Sequence, residues 1–290
     1  MDEASAYRHC ESVVRSQARN FSYGIRLLPP PKRRALSAVY AFARRIDDIG
    51  DDHDEPAETR LARLAEERAQ LTALIDEPDV RPTDPVLVAL ADAARHHAVP
   101  LDAFGELIDG CEADVRGATY DTFDDLLWYC RCVAGAVGRL SLGVFGTSDP
   151  EVAGPRADAL GVALQLTNIL RDIREDGQSG RVYLPAKDLA RFGCTLDLDE
   201  SGRYTDPPDH LVSLVRFEAA RAAEWYETGL KLLPMLDRRS AACAGAMAGI
   251  YRQLLKRITA DPLASLDTRT SLPTWEKAAV SAMAMSGIHR

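Results

Sequence analysis

The sequence predicts an all-α protein that forms one domain. Apolar residues recur at helical spacing along most of the 290 residues, and no segment shows a convincing strand alternation. No internal repeat or low-complexity tract is present, and a succession of helices without strands is typical of an all-α fold. No linker rich in Gly, Ser or Pro divides the chain, so we assign residues 1–290 to a single domain.

The N-terminal half is predicted to contain five helices separated by proline-containing breaks. The break over residues 19–31 ends in three consecutive prolines, and it forms either a flap over a site or an ordinary loop. Four leucines at helical spacing make the segment 57–76 amphipathic, which indicates core packing. The predicted helices span residues 4–19, 32–48, 57–76, 86–97 and 101–116.

The C-terminal half is predicted to contain five more helices. Thr122 and Asp125 form a capping-box pattern at the start of the first of them. Small residues at 134–138 either leave room for a ligand or allow close helix packing. Residues 149–155 and 191–208 are predicted to be irregular. The predicted helices span residues 123–145, 156–175, 209–236, 240–259 and 273–285.

One predicted helix carries a row of oxygen-bearing side chains although its other faces are apolar. Gln165, Asn168, Asp172 and Asp176 follow one another at three- or four-residue steps, so they share one face of the helix. An isolated carboxylate is costly to bury in an apolar core. We therefore expect a counter-charge here, supplied by a cation, a metal ion or both.

A second row ends the apolar helix over 32–48. Tyr40, Arg44, Asp47 and Asp51 also step by three or four residues. Mg²⁺ prefers oxygen ligands and is commonly held by carboxylates together with substrate phosphates. Two such rows facing each other could hold Mg²⁺ against a diphosphate, whereas each row alone would normally be a solvated helix face. Forked donors that suit phosphate are available nearby: Arg44, Arg45, Arg171, Arg174 and Arg181.

These motifs resemble those of the squalene and phytoene synthase family, the head-to-head isoprenyl diphosphate synthases. The resemblance covers about residues 5–260 and leaves a weakly constrained C-terminal tail. It implies a class I isoprenoid synthase helical bundle with a deep central cavity. The matching segments are residues 20–23, 27–29, 38–48, 129–138, 165–176 and 181–185.

The resemblance also implies roles for individual residues. The Mg²⁺ ligands, for two or three ions with a diphosphate, would be Asp47, Asp51, Asn168, Asp172 and Asp176. Tyr129 would be a catalytic cavity tyrosine near the reacting carbons. The substrate-binding residues would be Gln17, Ala18, Arg19, Asn20, Tyr40, Arg44, Gln165, Arg171, Arg181 and Tyr251. The match is weakest at Ala18 and Arg19, where the family often has Ser or Lys.

The residues of these motifs are most similar to those of bacterial presqualene diphosphate synthases of hopanoid biosynthesis. This implies condensation of two farnesyl diphosphates without NADPH. The alternative is a phytoene synthase that condenses two geranylgeranyl diphosphates. A class I terpene cyclase, an acidic adapter and a non-catalytic helical scaffold of the same fold are further alternatives. A scaffold should have lost the four aspartates of the two rows, and all four are present.

Bulk properties restrict the location and the partners. The net charge of −9 disfavours nucleic-acid binding, which needs basic faces. The six cysteines lack zinc-site spacing and are predicted to be reduced thiols in a cytoplasmic protein. The N-terminus is polar, and no apolar run reaches the roughly 20 residues needed to span a bilayer. Besides prenyl diphosphates, peripheral membrane contact and downstream isoprenoid enzymes are the candidate interactions.

Overall fold

The computed structural model describes residues 2–18, 20–77 and 81–287. In these ranges the protein is built from helices, and its one strand-like feature is an isolated antiparallel bridge between Leu198 and Tyr204. The predicted all-α class is confirmed. The helices of the N-terminal half are α1 Glu3–Gln17, α2 Phe21–Ile25, α3 Pro30–Gly50, α4 Ala57–Asp76, α5 Pro85–His96, α6 Ala103–Val115 and α7 Phe123–Cys130.

A short π-helical turn, Arg131–Gly135, joins α7 to α8, so the helix predicted over 123–145 is one rod with a local bulge. A 3₁₀ segment, Leu230–Met235, ends the helix predicted over 209–236, because Pro234 cannot supply a backbone donor. The helices of the C-terminal half are α8 Ala136–Phe145, α9 Pro150–Gln178, α10 Ala186–Phe192, α11 Pro208–Gly229, α12 Arg238–Ala260, α13 Pro262–Asp267 and α14 Thr274–Met285.

The central helices α3 and α9 are surrounded by the others. On α3, Phe42 and Ile46 are fully buried, and the Phe42 ring meets Phe104 of α6 edge-on at a centroid distance of 4.9 Å. Helix α9 packs closely against the rod that contains α8. A Cβ atom on Gly161 would lie 2.2 Å from the Ala134 carbonyl oxygen, so only glycine permits this approach. The small residues serve close packing, and Ala134 and Gly138 also line the central cavity, so both expectations hold for this segment.

Two predicted breaks are helical in the structure. Residues 149–155 were expected to form a loop, but α9 begins at Pro150, which fits the first helical position. Asp149 caps this end, because its carboxylate accepts a hydrogen bond from the Val152 amide at 3.2 Å. The predicted break over 19–31 contains the short helix α2, and α3 begins at Pro30 rather than residue 32. Helix α10 ends at Phe192, so it covers only the first two residues of the segment 191–208 that was predicted to be irregular.

Other local predictions are confirmed. Helix α4 has its predicted bounds, with Leu64 and Leu71 buried. Thr122 and Asp125 form the reciprocal capping box. All six cysteines are free and buried. In the described ranges, none of the helices is both long and apolar enough to cross a membrane.

Candidate active site

The two acidic rows meet at one end of a cavity of about 280 Å³. Helix α3 contributes Asp47 to its wall, and α9 contributes Gln165 and Asn168. Just after α9, Arg181 donates a hydrogen bond from Nη1 to Asp51 Oδ1 at 3.0 Å, which links the segment beyond the second row to the first. The sequence placed each row on a helix face, and the structure brings the two faces together.

Below the polar end, the cavity is apolar. Both α3 and α9 extend along it, from Leu36 to Asp47 and from Ala157 to Asn168. Each interval covers twelve residues, or eleven helical steps, so the wall is about 16 Å long at 1.5 Å per step. The other apolar lining residues include Phe21, Ile25, Val137, Phe145, Leu160, Leu164, Leu232 and Met247. Such a wall suits a long hydrocarbon chain and excludes water.

Asp172 is ionised by its neighbours. Burial alone would raise the pKa of this carboxyl group, but hydrogen bonds from Arg171 and Arg269 outweigh burial and lower the pKa. The Arg171 Nε–Oδ1 and Arg269 Nε–Oδ1 distances are both 2.8 Å. Arg269 also lies 3.0 Å from Glu175. It belongs to the predicted weakly constrained tail, and no local sequence pattern indicated that it would reach the site.

For Asp47 and Asp176 the pKa is shifted in the opposite direction, upward. Burial raises the pKa of Asp47 to about 7, and the nearby Asp51 adds to the rise although Arg44 opposes it. Burial and the charge of Asp172 raise the pKa of Asp176 to about 7 against the influence of Arg181. Neighbouring like charges disfavour the ionised form of each carboxylate. A bound cation would therefore stabilise both carboxylates in their ionised form.

Asn168 tests whether the residues fit Mg²⁺. Its Oδ1 atom is buried and has no hydrogen-bond partner in the described part of the chain, while Nδ2 donates to Gln165 Oε1 at 3.4 Å. An orphaned amide oxygen among carboxylates fits a hard, oxygen-preferring cation. Within residues 2–18, 20–77 and 81–287, no group of three or more His, Cys, Asp or Glu side chains is already positioned to hold a metal ion. Substrate phosphates would complete the coordination, as is usual for Mg²⁺.

The segment between α1 and α2 lies beside the cavity mouth. Gln17 Oε1 accepts a hydrogen bond from Arg44 Nε at 3.2 Å, which ties the end of α1 to the first row. Ala18 is buried and Asn20 is half-buried just before α2. Arg19 lies outside the described residues. The structure adds Phe21 and Ile25 of α2 to the cavity wall, because the predicted break folds into a helical turn there.

Tyr129 belongs to a buried cluster next to the rows. Its hydroxyl donates to Asp114 Oδ2 at 2.7 Å, and the Tyr183 hydroxyl donates to Asp114 Oδ1 at 2.9 Å. The two rings stack with centroids 5.1 Å apart. Burial raises the pKa of Asp114, and Tyr129 and Arg181 partly counter this. Asp114 therefore lies beside Arg181, and Tyr183, which belongs to the matching segment 181–185, is a neighbour to which the sequence gave no role.

Three further residues were predicted to contact the substrate, namely Tyr40, Arg44 and Tyr251. Tyr40 and Arg44 line the cavity. Tyr251 is buried on α12, with its ring 6.3 Å from that of Phe21, and it neighbours Arg171.

Two of the five candidate arginines act elsewhere. Arg45 is bonded to Asp84 at 2.7 Å, on the side of α3 that faces α5. Arg174 donates to the carbonyl oxygens of Leu266 and Gly202, both at 2.6 Å, and thereby holds the chain after α12. These two arginines are structural, because their donors are already used by the scaffold.

Comparison with known proteins identifies the family. The model of the squalene/phytoene synthase family matches residues 14–276. The chain belongs to this family. It is an enzyme of the prenyltransferase type, in a family that condenses prenyl diphosphates head to head. The matched region extends beyond the 5–260 range of the resemblance and includes Arg269.

Individual relatives cover nearly the whole chain. A phytoene synthase of Mycobacterium tuberculosis is 50% identical over 281 residues, which are 97% of this chain and 91% of the relative. A phytoene synthase of Arthrospira platensis is 35% identical and covers 94% of this chain and 90% of its own length. The crystal structure of a dehydrosqualene synthase with bound ligand superposes with a TM-score of 0.88 at 30% identity, covering 99% of this chain and 97% of that chain. The predicted isoprenoid synthase fold is thereby confirmed.

Proposed function

We propose that this enzyme condenses two geranylgeranyl diphosphates into a C40 product, as a phytoene synthase does. The observation that carries the proposal is the 50% identity to the phytoene synthase of Mycobacterium tuberculosis across 97% of the chain. The sequence motifs alone favoured two farnesyl diphosphates and kept the C40 reaction as the alternative. The relatives support the alternative better, because the similarity to phytoene synthases extends over nearly the whole chain rather than over the shared acidic rows alone.

The polar end of the cavity would bind the diphosphates. Mg²⁺ would be held by Asp47, Asp51, Asn168, Asp172 and Asp176, and it would supply positive charge for a departing diphosphate. Arg44 and Arg171 would donate hydrogen bonds to phosphate oxygens, for which a guanidinium group is well shaped. Arg181 would do the same from its position beside Asp51. Tyr40 and Gln165 would border the first carbons of the chain.

The apolar wall would protect the reacting carbons. When the C–O bond of one substrate breaks, diphosphate leaves with the electron pair and an allylic cation remains. The double bond of the second substrate attacks this cation, and loss of a proton closes a cyclopropane ring. Leu160, Leu164 and Val137 would keep water away, since water would otherwise capture the cation.

Tyr129 would contribute through its fixed phenol group. Burial raises the pKa of its hydroxyl well above the ordinary value, so the group stays protonated. With its proton donated to Asp114 at 2.7 Å, the phenol oxygen and ring are electron-rich and oriented. We expect them to stabilise positive charge by a cation–π and dipole interaction. The proton acceptor would be the released diphosphate, or this hydroxyl if it passes its own proton on to Asp114.

The second candidate is the condensation of two farnesyl diphosphates to presqualene diphosphate. It is favoured by the superposition on the dehydrosqualene synthase, with a TM-score of 0.88. NADPH would be needed only for reduction to squalene. A terpene cyclase would use a single prenyl diphosphate.

A competition assay tests these candidates. The purified enzyme would receive Mg²⁺ with farnesyl and geranylgeranyl diphosphates together, with and without NADPH, and the lipids would be resolved by mass. We expect a C40 product in both conditions. A C30 cyclopropyl diphosphate, or squalene when NADPH is added, would replace the C40 proposal by the second candidate. A product derived from a single substrate would support a cyclase and overturn both.

A further inference from the structure

The C-terminal helix α14 is apolar on two opposite sides. Its inner side places Val280 and Ala284 against the body of the protein. Gly249 of α12 permits this contact, because a Cβ atom there would lie 2.6 Å from Val280 Cγ1. The outer side faces solvent. A surface helix normally exposes charged residues on that side, so an apolar outer side indicates a surface that meets a partner.

We call this outer side the α14 face. Trp275 is 70% exposed and Met283 is 44% exposed, although both are large apolar side chains. The two charged residues of the helix, Glu276 and Lys277, are half-buried instead, and Glu276 pairs with Arg257 at 2.6 Å. At 100° per residue, the exposed positions form one continuous stripe. The α14 face comprises Trp275, Ala278, Ala279, Ala282 and Met283.

Positive charge borders this face. The exposed Arg238 and Arg239 begin α12 and contact the end of α14: Arg238 Nη2 donates to the Met285 carbonyl oxygen at 3.3 Å, and Arg239 Nη1 lies 4.0 Å from Met285 Sδ. The α14 face itself carries no carboxylate, whereas the whole chain has a net charge of −9. The local charge is therefore opposite in sign to that of the chain.

The face also lies close to the cavity. Besides α12, helix α14 packs against α2. Helix α2 lines the cavity with Phe21 and Ile25. A partner bound to the α14 face would therefore sit next to an element that forms the cavity wall.

We propose that the α14 face docks on the surface of an anionic lipid bilayer. Tryptophan is enriched at the boundary between headgroups and acyl chains, where Trp275 and Met283 would insert. Arg238 and Arg239 would lie against anionic headgroups, which attract basic residues near the membrane surface. The prenyl chains of the substrate and the product would then exchange with the bilayer close to α2. This last point rests on the proposed function, whereas the surface itself does not.

A second copy of the chain fits the α14 face less well. A helix of 12 residues is about 18 Å long, so one side of it offers on the order of 200 Å². A stable protein interface needs about 800 Å² from each partner. A bilayer needs no such area, because insertion of a few side chains together with basic residues gives reversible binding.

Vesicle flotation of the full chain tests the proposal without substrate, so its result does not depend on the product of the reaction. The vesicles would be phosphatidylcholine with or without phosphatidylglycerol. The test variant is Trp275→Gln/Met283→Gln. The matched control is Trp128→Gln, because Trp128 is 49% exposed on the distant helix α7. Circular dichroism and activity with detergent-dispersed substrate would confirm that both variants remain folded.

We expect the native chain and Trp128→Gln to float with the anionic vesicles. The double variant should bind about tenfold or more weakly, since two apolar insertions are lost. Arg238→Gln/Arg239→Gln should lose binding to the anionic vesicles selectively, and added salt should weaken native binding. Absence of native flotation, or equal flotation of the double variant, would overturn the proposal. A native dimer that the double variant converts to a monomer would also overturn it, because the face would then be a self-association surface.

Discussion

The two acidic rows share the D-x-x-x-D spacing, but their first aspartates, Asp172 and Asp47, differ in charge state. At the end of α9, Asp172 is held by Arg171 and Arg269, which lower its pKa. At the end of α3, Asp47 accepts a long contact from the Cys111 thiol, 3.8 Å from Oδ1, and burial raises its pKa to about 7. The comparison shows that motif spacing fixes where carboxylates lie, whereas their neighbours from distant segments fix whether they are charged before a cation binds.

The largest effect is expected from Asp172, the aspartate that is already ionised. Asp172→Ala should lower kcat by about a thousandfold, because a metal-binding carboxylate is lost and two arginines lose their partner. Thermal unfolding should remain cooperative, since Asp172 lies at the polar end of the cavity rather than in the core. Steady-state kinetics would measure the loss. Glu175→Gln on the same helix is the control, and a fully active, folded Asp172→Ala enzyme would contradict the mechanism.

Substitutions in the first row should cause a smaller loss of activity, and the loss should differ between Asp47 and Asp51. Asp47→Asn should reduce kcat/KM by about a hundredfold, and Asp51→Asn by about tenfold. The reason is that Asp47 is half-buried in the cavity wall, whereas the Asp51 side chain is 57% exposed and already bonded to Arg181. The Mg²⁺ concentration needed for half-maximal rate should rise in both variants. The opposite ranking would show that exposure does not separate the roles of the two residues.

Arg269 allows the ionisation of Asp172 to be tested directly. Arg269→Gln should reduce kcat/KM by about tenfold, mainly through KM, because one of the two arginine partners of Asp172 is lost and the diphosphate site loses a positive charge. Arg269→Lys should recover part of the activity, since it restores the charge but not the fork. Arg203→Gln, at an exposed arginine of the loop before α11, is the control. No change in KM would place Arg269 outside substrate binding.

The smallest effect on activity should come from a buried acid outside the site. Burial raises the pKa of Glu218 on α11 to about 7 although Arg221 opposes the rise, and Oε1 has no hydrogen-bond partner in the described ranges. The folded state therefore holds this proton up to about pH 7, whereas the unfolded state releases it near pH 4.5. Stability from this group is complete below pH 4.5 and is lost as pH rises through about 7.

Glu218→Gln should therefore raise the free energy of unfolding at pH 8 by on the order of 1–3 kcal/mol and have little effect at pH 4. Arg221 keeps its contact with Asp188 at 2.9 Å in this variant. Urea unfolding at the two pH values would measure the difference, and activity at pH 8 should stay near native. Equal effects at both pH values would show that Glu218 is ionised in the folded protein.

The sequence by itself determined the longer helices and the identity of the acidic rows, whereas the short helices α2, α10 and α13 were not predicted. Helix α4 and the Thr122–Asp125 capping box form as predicted because helical periodicity and capping depend on residues a few positions apart. For the same reason, Asp172 and Asp176 could be assigned to one helix face before any tertiary contact was known. The start of α9 at Pro150 was missed, because a proline near a helix end is compatible with both a loop and a first turn.

Only the tertiary structure decided which charges meet. Arg269 reaches Asp172 across 97 positions, and Tyr183 reaches Asp114 across 69. Arg45 and Arg174 looked equally suited to phosphate but are used by the scaffold. Such pairings follow from how the helices pack, and they leave no periodic pattern in the sequence. The spacing of a motif is a local property, whereas the pKa of its carboxylates depends on burial and on charges that only the folded chain brings together.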